Sequence, residues 1–427
     1  MARKTSRRHT QGDASRRTIL DATLRIAGER GYVGTTMSLV KKATGLPASS
    51  LYWHFQSKDE LLADALDHGW DLWRERSPRW STAPQGAGLA ESLLIELRNS
   101  MVGLEDEPGF WRMGLMLALE SGPAVGSGPR NRFLQIRADA LAVSREWWGN
   151  AVPAPESLIA TLAQLTVAAL DGLYVRQQGE GSAHLDALLQ RLAIGLADVA
   201  TRMVAAGSTA IYATPAPAPA PPPRMVLAEP DSGRTKLLEA AHAVAAESGY
   251  EGASISRICA AAGLPASSLY WHFKDKDTLF AEVVDHSYRE WSIAQPAWLP
   301  PPPGLSWQDQ LRSHMVVTAR SLVERPPFLR IGYLLLLLRR TEPTPGRERF
   351  VGVRRQVQLL TTTWFRDVLG EGTPADEPEH LSQLLMAIFD GLFFSACLDD
   401  SPWEPGSFAD LMLGILSAGI GAADLAH

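Results

Sequence analysis

The hydrophobic pattern at the start of the chain predicts an amphipathic helix. Four apolar residues recur at the i, i+3, i+7 and i+8 spacing that places side chains on one helix face: Ile19, Ala22, Ile26 and Ala27. Asp13 can act as the N-cap, and Gly31 can end the helix. We therefore predict a helix over residues 13–30, preceded by a disordered basic arm at residues 1–12.

Two short helices are predicted next. Thr35 and Thr36 offer caps for the first of them, and after a glycine turn the second spans residues 46–55. Within the second helix Leu51 and Phe55 are four residues apart and should face the core. The remaining side chains of that helix are then left on an outer surface: Pro47, Ala48, Ser49, Ser50, Tyr52, Trp53 and His54.

The rest of the chain is predicted to be helical as well. From Lys58 onward no window alternates apolar and polar residues as a half-buried strand does. The longest apolar-rich helices are predicted at residues 156–176 and 185–204, and similar segments recur at 379–397 and 408–425. The predicted fold class is therefore all-α.

This helical pattern occurs twice because the sequence is duplicated. Residues 45–55 recur without change as residues 263–273, and further matches continue at offsets of 217 to 219 positions. They include the Asp-Gly-Leu triplet of residues 171–173, which recurs at 390–392. Each copy is a whole unit of roughly 200 residues, which suits a fused dimer and not a solenoid of short repeats.

Composition narrows the class of protein. Hydrophobic residues make up 45% of the chain and charged residues 21%, as in soluble globular proteins. The two cysteines, Cys259 and Cys397, imply no disulfide framework, which fits a cytoplasmic location. The longest uninterrupted apolar run, residues 333–338, is too short to cross a bilayer, so no membrane association is expected.

Charge and motifs narrow the function. The net charge is −6, yet six basic residues precede or begin the first predicted helix: Arg3, Lys4, Arg7, Arg8, Arg16 and Arg17. A local basic patch matters more for phosphate binding than the sum over the chain. The sequence contains no HExxH, Walker loop, GxSxG or cysteine pair, so we expect no enzyme activity, no cofactor and no metal site.

The duplicated segment resembles a known DNA-binding motif. Residues 35–36, 45–46, 51–55 and 58–62 together resemble the helix-turn-helix of TetR-family transcriptional regulators, and residues 254–280 resemble it equally. The family usually works as a homodimer, whereas here one chain supplies both motifs. The resemblance implies two TetR-like units arranged as a monomeric pseudo-dimer, with the last two helices of each unit packed as a four-helix interface.

The resemblance and the repeat set the predicted domain boundaries. Residues 213–223 are proline-rich and favour polyproline II, a semi-rigid spacer of roughly 34 Å at about 3.1 Å per residue. The predicted order is a basic arm (1–12), a three-helix DNA-binding domain (13–62), a helical ligand-binding and pseudo-dimerisation domain (63–206), a linker (207–230), a second DNA-binding domain (231–280) and a second helical domain (281–427).

The resemblance assigns the second short helix of each motif to the major groove of double-stranded DNA. This helix holds no Arg, Asn or Gln, the usual bidentate readers of bases, so shape and water should contribute to specificity. The candidate DNA-binding residues are Thr35, Thr36, Lys41, Lys42, Pro47, Ala48, Ser49, Ser50, Tyr52, Trp53, His54 and Lys58 in the first copy, and Ser254, Pro265, Ala266, Ser267, Ser268, Tyr270, Trp271, His272 and Lys276 in the second.

The helical domains offer candidates for a small apolar effector, although such residues equally describe a plain core. They are Trp111, Met113, Met116 and Trp147 in the first copy, and Met315, Tyr333, Trp364, Phe389 and Phe393 in the second. The leading hypothesis is a repressor released by this effector, and the alternative is a constitutive DNA-binding or architectural protein. Because the two helical domains have diverged, we expect that they do not share one identical pocket.

The two copies are also expected to hold DNA unequally. Lys41 and Lys42 of the first copy correspond to Cys259 and Ala260 of the second. Each lysine lost removes a candidate phosphate contact, and such contacts add to affinity and to its salt dependence. The first copy is therefore expected to bind more strongly, while the identical helices prefer similar base sequences.

Overall fold

The computed structural model describes residues 2–77, 80–81, 88–106, 109–120, 127–206, 232–340, 342–399, 403–418 and 420, with side chains described from residue 12 onward except at 105 and 106. The predicted linker at 207–230 lies outside the described residues. Within them the chain is all-α, and no strand is formed.

Among the described residues, each copy contributes nine helices in the same order. Those of the first copy are α1 (Ala2–Gly34), α2 (Met37–Thr44), α3 (Ala48–His54), α4 (Lys58–Arg76), α5 (Leu89–Asp106), α6 (Gly109–Leu119), α7 (Ser127–Ala151), α8 (Glu156–Glu180) and α9 (Leu185–Ala206). Those of the second are α10 (Gly233–Gly252), α11 (Ile255–Ala262), α12 (Ala266–His272), α13 (Lys276–Ser292), α14 (Trp307–Val323), α15 (Pro327–Leu337), α16 (Pro345–Leu369), α17 (Glu377–Leu398) and α18 (Pro405–Ser417).

The first helix starts earlier than the sequence pattern suggested. The prediction that Asp13 caps it was wrong, because α1 begins at Ala2 and Asp13 lies inside it. No proline interrupts residues 2–12, and their arginines, lysine and glutamine are good helix formers. The predicted break at Gly31 is confirmed, since this residue takes a φ of 69° and leaves helical geometry.

The two copies meet along helices α8, α9, α17 and α18, as the resemblance implied. Helices α8 and α17 cross at Gly172 and Gly391, where the backbones touch. A Cβ at Gly172 would lie 1.6 Å from the carbonyl oxygen of Ala387, and a Cβ at Gly391 would lie 1.9 Å from that of Ala168. Small residues at a crossing let helices approach this closely. The two glycines therefore define the centre of the seam between the copies.

The aspartate before each of these glycines anchors a neighbouring helix to the seam. Asp171 is fully buried and accepts hydrogen bonds from Trp111 Nε1 at 2.9 Å and from the guanidinium of Arg137. Its counterpart Asp390 accepts from Arg354 Nη2 at 2.7 Å. A buried carboxylate is costly unless it is paired and hydrogen-bonded, and both aspartates are. The repeated Asp-Gly pair thus joins α7 to α8 and α16 to α17.

Two of the seam helices are long and apolar enough to cross a membrane by length and composition. They are α8 and α17, and in their most apolar windows 78% and 94% of the residues are buried inside the protein. A helix that is apolar all round is typical of a core as well as of a membrane span. Their burial at the seam accounts for their composition.

Candidate nucleic-acid interface

The turn between the two short helices depends on a left-handed glycine in each copy. Gly45 has a φ of 66° and Gly263 a φ of 67°, a conformation that glycine adopts without a Cβ penalty. The next helix begins at Ala48, two residues later than predicted, because Pro47 has an extended ψ of 147° and takes the N-cap position. In the second copy Pro265 caps α12 in the same way.

The outer face of α3 and α12 carries exposed aromatic rings. Tyr52 and Trp53 are 60% and 76% exposed, and Tyr270 and Trp271 are 57% and 82% exposed. Rings of this size are rarely left in water unless a partner covers them. The other predicted residues on this face are exposed or half-buried: Pro47, Ala48, Ser49, Ser50, His54, Pro265, Ala266, Ser267, Ser268 and His272.

The inner face of the same helices is buried, as predicted. Leu51 is 2% exposed and Phe55 is fully buried, and Leu269 and Phe273 repeat this in the second copy. Arg16 lies beside Phe55 and forms an ion pair of 2.6 Å with an aspartate of α4. This arginine, placed by the sequence in a basic cluster, therefore fastens α1 to α4.

Two threonines predicted to contact DNA play different parts. Thr35 is 1% exposed, and its hydroxyl donates to the Gly31 carbonyl at 2.8 Å. The buried hydroxyl therefore closes the broken end of α1, and its predicted DNA contact stays a prediction. Thr36 is exposed and caps α2 by accepting from Leu39 N–H at 3.2 Å. Ser254 caps α11 in the same manner and is half-buried.

The lysines predicted to bind phosphate at the start of α4 and α13 are half-buried and lie against a tyrosine ring, and their phosphate contact stays a prediction. Lys58 Nζ lies 3.9 Å from the centre of the Tyr32 ring. Lys276 Nζ lies 4.0 Å from that of Tyr250 and donates to the Tyr250 carbonyl. Burial lowers the pKa of Lys58 and lowers that of Lys276 to about 8. Lys58 therefore joins α4 to α1, and Lys276 joins α13 to α10.

A signal for this role was present in the sequence. The Gly-Tyr pair at residues 31–32 recurs at 249–250, and the Lys-Asp pair at 58–59 recurs at 276–277. The tyrosine hydroxyls donate to these aspartates in both copies. Repetition of all four residues points to a shared structural contact as readily as to DNA binding.

Lys41 and Lys42 are both exposed at the last turn of α2. At the matching positions of α11, Cys259 is buried and Ala260 is exposed. The two copies thus share an identical helix, α3 and α12, and differ in the charge beside it.

The candidate ligand residues fall into two groups. A cavity of about 200 Å³ opens between helices α13, α14, α15, α16 and α17 of the second copy. Tyr333 and Phe389 line it, together with Phe328. Trp291 and Trp298 also line it, and the sequence had suggested no ligand contact for these two tryptophans. The other predicted residues lie outside its lining, in the packed core: Trp111, Met113, Met116, Trp147, Met315, Trp364 and Phe393.

The aromatic packing beside this cavity recurs in the first copy. The Trp147 ring packs edge-on against Trp80 and Trp148, with ring centres 5.9 and 5.1 Å apart. In the second copy Trp364 packs in the same way against Trp298 and Phe365, at 5.4 and 5.2 Å. That the two helical domains do not share one identical pocket therefore stays a prediction.

The N-terminal part of each copy matches known proteins. Residues 19–65 and 237–283 each match the family model for bacterial regulatory proteins of the TetR family. A 72-residue stretch is 33% identical to the HTH-type transcriptional regulator AcrR of Shigella flexneri, covering 17% of this chain and 30% of that regulator.

Two solved structures also align. One is a Clostridium perfringens protein described as a fatty acid metabolism regulator, at 17% identity and a TM-score of 0.34, covering 42% of this chain and 97% of that one. The other is a Shewanella sp. PV-4 protein described as a TetR-family transcription regulator, at 16% identity and a TM-score of 0.31, covering 42% and 95%. With two matched N-terminal domains, each followed by further helices in the part of the chain that the structure describes, this chain belongs to the TetR family as a tandem, two-unit member.

Proposed function

We propose that this protein is a sequence-specific DNA-binding transcriptional regulator in which a single chain grips both half-sites of an operator. The proposal rests on one observation: α3 and α12 are identical in sequence, and both present exposed aromatic rings. The shared α8–α17 seam ties the two helices together in one molecule. Successive major grooves on one face of DNA lie roughly 34–36 Å apart, and a fused pair can be held at that spacing.

The second-copy cavity supports effector control of this regulator. Helix α13, which begins four residues after α12 ends, supplies Tyr288, Trp291 and Ser292 to the cavity wall. A small apolar ligand that displaces α13 would displace α12 with it. The distance between the two DNA-contacting helices, α3 and α12, would then change. We infer a repressor that such a ligand releases.

The stoichiometry of the DNA complex tests the single-chain proposal. Sedimentation of the chain on a minimal two-half-site duplex should show one chain per duplex, because one chain already contains both DNA-binding domains. A variant with Ser267→Glu places a negative charge on the exposed face of α12 alone and should lose most of its affinity for that duplex. Two chains on the minimal duplex would contradict the proposal.

Sedimentation of the same DNA complex, with a ligand added, tests release by an effector. Naphthalene, as a neutral apolar probe, should release DNA from the wild-type chain. It should not release DNA from Thr318→Trp, because Thr318 lines the second-copy cavity and the larger ring would fill it. Wild-type complexes that persist at saturating naphthalene, while the Thr318→Trp variant behaves identically, would favour the constitutive alternative.

Stronger DNA binding by the first copy than by the second predicts a specific dependence of affinity on salt. Replacing Lys41 and Lys42 by alanine should lower DNA affinity and flatten the dependence of log K on log salt by up to about 0.9 per lost phosphate contact. The preferred base sequence should not change, since neither lysine lies on α3. Fluorescence anisotropy at several salt concentrations gives both quantities.

A gain-of-charge variant provides the matched control. Ala260 is exposed at the position that corresponds to Lys42, so Ala260→Lys should strengthen binding and steepen the salt slope. Unchanged affinity and slope in the Lys41/Lys42 double variant would show that these lysines face away from DNA.

A further inference from the structure

A second cavity, of about 300 Å³, lies between the two copies and is lined by four arginines. It is formed by residues 335–340 and 342–347 of the second copy, by α6 and the end of α8 from the first copy, and by the end of α10. The arginines are Arg112, Arg339, Arg340 and Arg347. This seam cleft is separate from the apolar second-copy cavity, with which it shares no lining residue.

Two of these guanidinium groups are brought together without a carboxylate. Arg112 is 3% exposed and donates to the Gln178 side-chain oxygen and, at 3.4 Å, to the Tyr174 hydroxyl. Arg347 donates to the main-chain carbonyl of Gln178 at 2.7 Å. Within the part of the chain that the structure describes, neither forms an ion pair. Burial, and then the charge of Arg112, lowers the pKa of Arg347, and the charge of the neighbouring Glu348 offsets part of that effect.

The remaining charges leave the cleft positive. Arg340 is neutralised by Glu251 at 2.8 Å, with Asp277 at 3.6 Å. Glu342 is the acidic residue among those that line the cleft, and it is exposed. A guanidinium held out of bulk water without a counter-ion is costly, and a bound anion removes that cost.

The rest of the lining is apolar. Leu335, Leu336, Leu338 and Pro343 line the cleft beside the ring of Tyr250. Inorganic ions would leave these groups unused, whereas an organic anion would cover them. The lining of the cleft therefore combines guanidinium groups, which suit a charged oxygen group, with apolar side chains, which suit a hydrocarbon or a ring.

We propose that the seam cleft binds a small organic oxyanion, a phosphate ester or a carboxylate, with its charged group on Arg112 and Arg347. Planar guanidinium groups bind such oxygens through paired N–H donors, which fixes both position and orientation. The organic part of the ligand lies against Leu336, Leu338 and the Tyr250 ring.

The position of the cleft connects it to both DNA-binding domains. A Cβ at Gly28 of α1 would lie 3.7 Å from Arg112 Cδ, and the Gly28 carbonyl accepts from the Arg339 backbone N–H at 3.0 Å. Tyr250, close to the end of α10, is part of the lining. An anion in the cleft would fix the relative position of α1 and α10. This regulatory consequence rests on the proposed function, whereas the binding itself does not.

Calorimetry on the full chain without DNA tests the binding. Phenyl phosphate and benzoate serve as probes, with phenol as their neutral analogue. At least one of the anions should bind at one site per chain and phenol should not, and the anion that binds identifies the phosphate or the carboxylate class. Arg347→Gln should weaken this binding at least about tenfold, since it removes a charge-assisted hydrogen bond.

A matched variant separates the site from general charge. Arg355→Gln removes an exposed arginine from the same helix and should leave binding unchanged. Should Arg347→Gln fail to fold, Arg347→Lys should show a similar loss, because lysine keeps the charge but cannot offer paired N–H donors. Absence of binding by both anions, equal binding of phenol, or equal weakening in Arg355→Gln would each overturn the proposal. A chain that binds the anion and no DNA would retain this site and refute the proposed function.

Discussion

Replacing Gly172 by alanine is expected to lower the free energy of unfolding by about 3 kcal/mol or more. The added methyl group would lie 1.6 Å from the Ala387 carbonyl oxygen, well inside van der Waals contact. A flexible side chain could move aside, but a helix backbone cannot, so α8 and α17 would have to separate along the seam. Gly391→Ala should have a similar effect, because its methyl group would meet the Ala168 carbonyl oxygen.

A glycine on an exposed helix face supplies the control for this prediction. Gly352 lies within α16 and is exposed, and a Cβ there meets no atom within 4 Å. Gly352→Ala should therefore stabilise the protein by roughly 0.5–1 kcal/mol through helix propensity alone. Chemical denaturation of the three variants gives the comparison. A Gly172→Ala variant as stable as wild type would mean that the copies do not pack through this crossing.

The features that sequence predicted correctly are those encoded by local pattern or by repetition. The all-α class, the left-handed break at Gly31 and the buried Leu51 and Phe55 follow from side-chain spacing and glycine chemistry. The four-helix seam followed from the family resemblance, and the Asp-Gly pair at its centre was visible as a repeat. The reason for that repeat, contact between two backbones, required the fold.

The features that sequence missed depend on contacts between distant segments. Lys58 is basic and close to the recognition helix, yet it turns toward Tyr32, twenty-six positions earlier. The cavity in the second copy is lined by residues from α13 to α17, and because both copies are rich in aromatic residues, composition alone did not locate it. The seam cleft joins Arg112 to Arg347 across 235 positions. No local pattern could have brought these two arginines together.

A buried carboxylate at the junction of the two DNA-binding domains is expected to make stability depend on pH. Glu120 follows α6 and is 2% exposed. A Cβ at Gly31 would lie 2.6 Å from its Oε1, and a Cβ at Gly249 of α10 would lie 2.3 Å from the same atom. The Tyr32 backbone N–H donates to this carboxylate, and the Lys58 ammonium is nearby. The matching position in the second copy is Leu338, so the charge occurs once.

Burial raises the pKa of Glu120 to about 7, and the hydrogen bond from Tyr32 and the charge of Lys58 offset only part of that effect. Because the folded chain holds this proton more tightly than the unfolded chain, its contribution to stability is complete below the ordinary carboxyl pKa. The contribution is lost as pH rises from there through about 7. The full effect corresponds to about 3 kcal/mol.

Glu120→Gln should remove this dependence, since an amide of similar shape does not ionise. Denaturant unfolding of wild type and variant should give a stability difference that grows in favour of the variant by roughly 2–3 kcal/mol between pH 5 and pH 8. Glu348→Gln, at an exposed carboxylate of α16, should give a difference that is flat with pH. Parallel stability curves for wild type and Glu120→Gln would contradict the prediction. If the curves diverge, ionisation of a single side chain acts where α1 and α10 pack, and DNA affinity should then be measured across the same pH range.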